Sequence, residues 1–190
     1  MGRIIFAGFL GALVLFFWGF LSWAVLPFHS QTTHTLPNED AVTAALKSGN
    51  AESGAYRIPG LGGNEATKKV EMEKMKAGPI VWIQYHQEGY GEVDPVYYFK
   101  GFLILFISAM IAASLLGKLS WSLASKYGAR VRFVMMIGFF LAVYARLGDW
   151  AFMGNSTSFS LNLVADDIIG WTLAGLVIAW RMKPLMAKTS

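Results

Sequence analysis

The chain contains no cysteine, three histidines and only twelve acidic residues among 190. Without cysteine an exported segment has no disulfide staples, and thiol-based electron carriers of the four-span type are excluded. None of the three histidines falls inside a long apolar run, so a haem held between helices by two imidazoles is excluded as well. No Ser/His/Asp or Cys/His set marks a nucleophile, so no catalytic residues are assigned and an enzyme is not expected. "PGLGGNEATKK" places glycines before a helix start but lacks the Lys-Ser/Thr ending of a phosphate loop and the dinucleotide spacing. It reads as a turn and a cap. No cofactor is implied.

What the chain does have is apolar length. Hydrophobic residues make up 55% of it and charged ones only 15%, which is too apolar for an ordinary soluble domain of this size. Four runs, 4–28, 96–117, 131–153 and 159–182, are near or above the ~18 residues that mark a transmembrane helix. A signal peptide is the rival reading of the first run. Its apolar stretch spans 25 residues, against the usual ~7–15, and no small-residue cleavage motif closes it.

Charge placement sets the expected topology. Arg3, Lys118, Lys126, Arg130, Arg132, Arg181, Lys183 and Lys188 occupy the N-terminus, the loop between the second and third runs, and the tail, with no acid beside them. The segment from His29 to Pro95 instead carries nine acids against six bases. The positive-inside rule therefore places both termini in the cytoplasm and that segment outside. The formal charge of +4 is a topology signal and implies no nucleic-acid partner.

Residues 30–95 read as a small α+β unit. "LPNEDAVTAALKSGN" is a helix with Asn38 as its cap and Gly49 at its end. "GAYRIPG" is a short strand stopped by Pro59. "NEATKKVEMEKMKAG" is a second helix capped by Asn64, and "PIVWIQYH" is β-branched and aromatic enough for a strand. Without a disulfide a unit of this size is marginal alone. It is expected to lean on the membrane, on its own spans or on a partner.

The apolar runs carry charges that need partners. Counting inward at the helical rise, Arg146 lies roughly 22 Å into the third span, and Asp166 and Asp167 lie roughly 8–12 Å into the fourth from the other side. The three are level. Lys100 and Asp149 belong to the same leaflet. A lone charge at mid-membrane costs at least ~2.5–3.5 kcal/mol, so pairing is the expected condition. Adjacent positions on a helix point about 100° apart, so one partner cannot serve both aspartates. One is expected to pair with Arg146 and the other to face Lys100 or a wet crevice. Two readings of the cluster Asp166, Asp167, Arg146, Asp149 and Lys100 stay open: a lock that fixes helix register, or a functional site, either for a proton or cation or as the head-group end of a lipid cleft.

His29, His34 and His86 fall on the outer side and read as interfacial or surface residues. Their spacing matches no metal-ligand pattern, so no metal is assigned. Small residues recur four apart, as in Ala7 and Gly11, Gly8 and Ala12, Ala109 and Ala113, Gly170 and Ala174, and Gly175 and Ala179. That spacing permits close helix approach, within the bundle or against a partner. Trp18, Trp23 and Trp150 read as interfacial anchors, and "QEGYGEVDPVYY" as a linker with aromatics and acids available for docking.

From "FWGFLSWAVLPFH" through "LPNEDAVTAALK", and again at "ADDIIGWTLAGLVIA", the chain resembles an uncharacterised family of small four-span bacterial inner-membrane proteins. The resemblance implies a layout and no activity. The expected fold is membrane all-α: a four-transmembrane-helix bundle with a small periplasmic α+β insertion between helices 1 and 2. Its divisions are helix 1 over 1–29, the periplasmic segment over 30–95, and helices 2–4 with cytoplasmic loop and tail over 96–190. The expected role is a non-enzymatic accessory, assembly or scaffolding protein of the inner membrane. It would present its periplasmic segment to a membrane-protein partner or to a second copy, within the lipid bilayer. The alternatives are a small transporter or ion pathway through the buried charges, and an enzyme acting on lipid with His29 as acid or base.

Overall fold

The computed structural model of the chain describes residues 1–49, 51–60, 62–89 and 94–183. Tyr90 and Glu92 of the linker and Lys188 of the tail lie outside them. The chain divides into two compact units, one formed by Met1–His34 with Asp94–Ser190 and the other by Thr35–Val93.

The first unit is helical, and four of its helical stretches are long and apolar enough to cross a membrane: Gly2–Val25, Pro95–Gly117, Tyr127–Met153 and Thr157–Arg181. Helix α1 (Gly2–Phe20) runs into a π-helical turn over Leu21–Val25, and Leu26 then turns extended. Pro27 explains the stop, since a proline disfavours helical geometry in the residue before it. Two short helices in the other unit, α2 (Glu39–Ser48) and α3 (Glu65–Ala77), precede α4 (Pro95–Gly117). Asp94 caps α4 by accepting from the Val96 amide at 2.9 Å, and Pro95 sits at the first helical position, where its missing N–H costs nothing. After the short α5 (Trp121–Ala124), α6 (Tyr127–Leu141) passes through a second π-helical turn, Ala142–Leu147, into α7 (Gly148–Met153). Gly154 turns the chain with φ +74°, and Ser156 caps α8 (Thr157–Arg181) through the Phe159 amide.

Helix α1 lies between α4 and α8, antiparallel to both, and α6 packs on the far side of α8. Phe9 meets Phe102 and Phe106 edge-on, and Phe16 meets Tyr98 and Phe102, which fixes the α1–α4 register. Close approach is possible because the crossing points are small. A Cβ on Gly138 would lie 2.2 Å from the Trp171 Cβ, so that indole can sit flat against α6. The core is rich in alanine: Ala7, Ala109, Ala112, Ala113 and Ala174 are fully buried beside Leu116, Val134 and Ile178. In a bilayer, where apolar side chains gain nothing by leaving lipid, such small contacts and interhelical hydrogen bonds supply the association energy. The small-residue spacing in the sequence is used here, inside the bundle.

The second unit has strands β1 (Gly54–Ile58) and β2 (Val81–Tyr85), antiparallel with Gly54 opposite Tyr85 and Ile58 opposite Val81. Arg57 lies over the Trp82 ring at 5.1 Å, and Tyr56 meets Tyr85 edge-on. Asn64 caps α3 by accepting from the Ala66 and Thr67 amides. Asn38 does stand at the start of α2, but in the left-handed conformation (φ 57°), and its side chain makes no capping bond. Neither α2 nor α3 has a buried residue. Among the described residues of this unit only Pro59 is buried.

Candidate functional site

The upper end of the bundle is where α1 finishes and α8 begins. Asn162 and Asp166 are four apart on α8 and share a face, while Asp167 points about 100° round. Helix geometry therefore sends the two aspartates to different neighbours. Asp167 accepts from Arg146 Nε at 2.8 Å and, less well, from an Arg146 terminal nitrogen at 3.4 Å. Asp166 faces α1: Trp18 Nε1 donates to its Oδ1 at 2.7 Å and lies 3.2 Å from its backbone carbonyl. Its other oxygen, Oδ2, stands 3.5 Å from His29 Nε2. This is ion-pair distance without the alignment of a hydrogen bond. Both carboxylates are largely shielded, with side-chain exposures of 13% for Asp166 and 14% for Asp167 against 35% for Arg146.

Local backbone geometry builds these contacts. Arg146 sits in the Ala142–Leu147 π turn. The added residue of a π turn rotates the helical residues after it, and such turns gather at functional sites. Trp18 reaches Asp166 because Gly170, one turn further along α8, leaves room for the indole. A Cβ there would meet Trp18 Cδ1 at 2.9 Å. His29 is carried by the turn after Pro27 and stacks on Trp23 with ring centroids 3.7 Å apart and planes 10° from parallel. The carbonyl of Phe28 accepts from Asn162 Nδ2. A carbonyl can only accept, so the amide nitrogen of Asn162 must face it and Oδ1 points away. That Oδ1, both ring nitrogens of His29 and Ser160 Oγ are buried without a hydrogen-bond partner among the described residues.

The sequence-derived candidates therefore separate. Arg146 and Asp167 pair directly, and Asp149 and Asp166 lie within Coulomb range of Arg146. The expected second partner of the aspartates, Lys100, is exposed on α4 and makes no ion pair among the described residues. Asp166 is held by Trp18 and His29 instead. His29, expected at the surface, is 3% exposed, whereas His34 and His86 are exposed. Sequence reasoning misses two participants. Trp18 reads as an anchor although it lies well inside the first apolar run, and Asn162 stands one helical turn before Asp166, a polar spacing that marks a shared face. A further buried charge, Arg130 at the opposite end of the bundle, reads only as a loop base. It is 4% exposed and donates to the carbonyls of Ala179, Ala124 and Ser125. It thereby satisfies orphan groups at the C-terminal ends of two helices.

Comparisons with protein-family models, with curated proteins and with solved structures give no match. The chemistry of the site is what can be read. Among the described residues no group of three metal-ligating side chains gathers. The cluster joins α1, the turn after it, α6's continuation and α8 through one ion pair, one indole–carboxylate bond and one amide–carbonyl bond. It also holds an imidazole, the side chain suited to carrying a proton near neutral pH, against a carboxylate.

Proposed function

We propose that the chain is a non-enzymatic multi-pass component of a bacterial inner membrane, with both termini cytoplasmic. Its insertion, periplasmic in this reading, engages a membrane-protein partner, and the charged cluster locks the helices from which the insertion departs. The observation that carries the proposal is the near absence of a core among the described residues of the Thr35–Val93 unit. Tyr56, Ile58, Ile80 and Trp82 are between 39% and 51% exposed. Apolar side chains displayed on a two-stranded sheet with uncommitted helices call for a covering surface. The family resemblance fits the same reading, as a layout without catalytic residues.

Purification at native expression level in nanodiscs, with the mass of the intact particle and its components identified, tests it. A particle holding a fixed second protein that departs when residues 35–93 are replaced by a flexible linker supports the proposal. A partner-free monomer whose insertion is nonetheless protected from proteolysis sinks it.

A second reading, a proton pathway entered at the upper end, is favoured by one feature: His29 is buried against Asp166 with neither ring nitrogen in an aligned hydrogen bond. Proton flux into proteoliposomes that disappears in Asp166→Asn and persists in Lys100→Gln would support it. Absence of flux in the wild type would remove it.

A further inference from the structure

We infer that the cleft between α1 and α8 is a binding site for an anionic phospholipid, with its phosphate held by Arg3 and Arg181. The cleft is apolar, lined on α1 and its π turn by Leu13, Val14, Phe17, Trp18 and Leu21 and on α8 by Leu173, Leu176 and Val177. Helical periodicity carries it to the lower end of the bundle. Phe6 lies seven residues before Leu13, and Arg181 lies four after Val177, so each prolongs its own wall of the cleft. The two meet there, with the Arg181 guanidinium 5.3 Å above the Phe6 ring. Arg3, one turn before Phe6, donates from its guanidinium to the Lys183 carbonyl. It thus closes the same end from the other helix.

Charge selects the occupant. The chain has no acid between Met1 and Asn38 or after Asp167, so no carboxylate of either wall neutralises these two arginines. The Arg181 guanidinium lies over the Phe6 ring and makes no ion pair among the described residues, and its planar fork of N–H donors matches phosphate oxygens. From Phe6 to Leu21, the last residue of the first wall to line the cleft, the rise is about 22 Å, so an acyl chain laid from a headgroup at Arg181 would run up the wall of the cleft. A second copy's helix would fill the apolar part but bring no negative charge to its lower end.

The test is native mass spectrometry of the full chain released from nanodiscs of mixed phosphatidylglycerol and phosphatidylethanolamine. The expected result is one retained phosphatidylglycerol, reduced at least tenfold in occupancy by Arg3→Gln with Arg181→Gln. Charge-matched Lys126→Gln with Arg132→Gln should leave it in place, and circular dichroism reports that each variant keeps its helices. Equal retention of phosphatidylethanolamine, survival of the lipid in the Arg3/Arg181 variant, or a lipid-free dimer would each overturn the proposal. If the double variant unfolds, Leu173→Trp, which fills the cleft about two helical turns away from Arg181, must displace the lipid instead. A lipid retained by that variant overturns it equally.

Discussion

Removing the carboxylate of Asp167 has a consequence that can be worked from the structure. In Asp167→Asn the Arg146 guanidinium keeps its place in the π turn but loses its counter-charge and one of the two oxygens it donates to. An uncompensated arginine at the centre of a spanning helix costs ~2.5–3.5 kcal/mol on insertion scales. Arg146 is seven residues short of Met153, about 10 Å from the helix end by the helical rise, and its side chain is 35% exposed. Screening and snorkelling therefore reduce the cost. We expect a destabilisation of about 1.5–2.5 kcal/mol for Asp167→Asn, roughly a tenfold to sixtyfold change in the unfolding equilibrium.

Arg146→Gln leaves the reverse orphan, a carboxylate 14% exposed, and should cost at least as much. The double variant removes both charges together and should cost less than the sum of the singles by about 1–2 kcal/mol. Steric trapping or denaturant titration in bicelles measures all four states. Additivity within about 0.3 kcal/mol would refute the ion pair as the element that joins α6's continuation to α8. Asp149→Asn belongs in the same series as the charge within Coulomb range that makes no direct bond, and it should move stability by no more than about 0.5 kcal/mol.

Trp18→Phe keeps the ring but deletes the donor to Asp166, and the same titration should report a loss of ~0.6–1.7 kcal/mol, the range of interhelical hydrogen bonds in bilayers. Arg130→Met orphans carbonyls at two helix ends and should cost on the order of 2–3 kcal/mol in thermal unfolding; Arg130→Lys should recover only part, because an ammonium cannot reproduce the fork. Gly138→Ala places a methyl 2.2 Å from Trp171 Cβ and should cost ~1–3 kcal/mol by overpacking. Gly19→Ala, with nothing within 4 Å of the new Cβ, should be neutral or slightly stabilising in the same melt.

Long-range layout is legible in the sequence because its signals are redundant. A long apolar run, a proline at its end and a capping residue at the next start each state the same boundary. The helices of the insertion are legible for the same reason, except at Asn38. There the residue type is right and the expected conformation is not, since asparagine is also among the residues best able to adopt positive φ. The candidate site is legible only in one coordinate. Depth along a helix is fixed by counting, and counting places Arg146 level with Asp166 and Asp167. Rotation about the helix axis is not fixed as easily, because a π turn adds about 100° at a position no residue type announces. That is why Lys100, at a suitable depth on α4, is a reasonable partner for an aspartate and the wrong one. The burial of His29 depends on how the chain turns after Pro27, and nothing in "LPFHS" says whether that turn folds over the helix ends or away from them.

The two adjacent aspartates can be understood from these rotations. A single carboxylate on α8 could bond to α1 or to the continuation of α6, but not to both, because those helices lie on different sides of α8. Two consecutive residues differ by about 100°, enough to serve both sides at one depth. The pair thus makes α8 the helix on which the upper end is assembled, with Arg146 drawn in from one side and Trp18 and His29 from the other. The two bonds also differ in kind. Arg146–Asp167 is a closed pair whose charges cancel. Asp166 keeps one oxygen toward an imidazole that has no other aligned partner among the described residues. If the lock were the whole purpose, Asp166→Asn would be nearly harmless, since an asparagine carbonyl can still accept from Trp18 and the neutral side chain is easier to bury. If instead a proton is exchanged between His29 and Asp166, the same substitution would leave stability intact and abolish proton uptake from the upper side. Flux measured on that one variant, with unchanged stability as the check that it is folded, therefore separates two functions that share every contact.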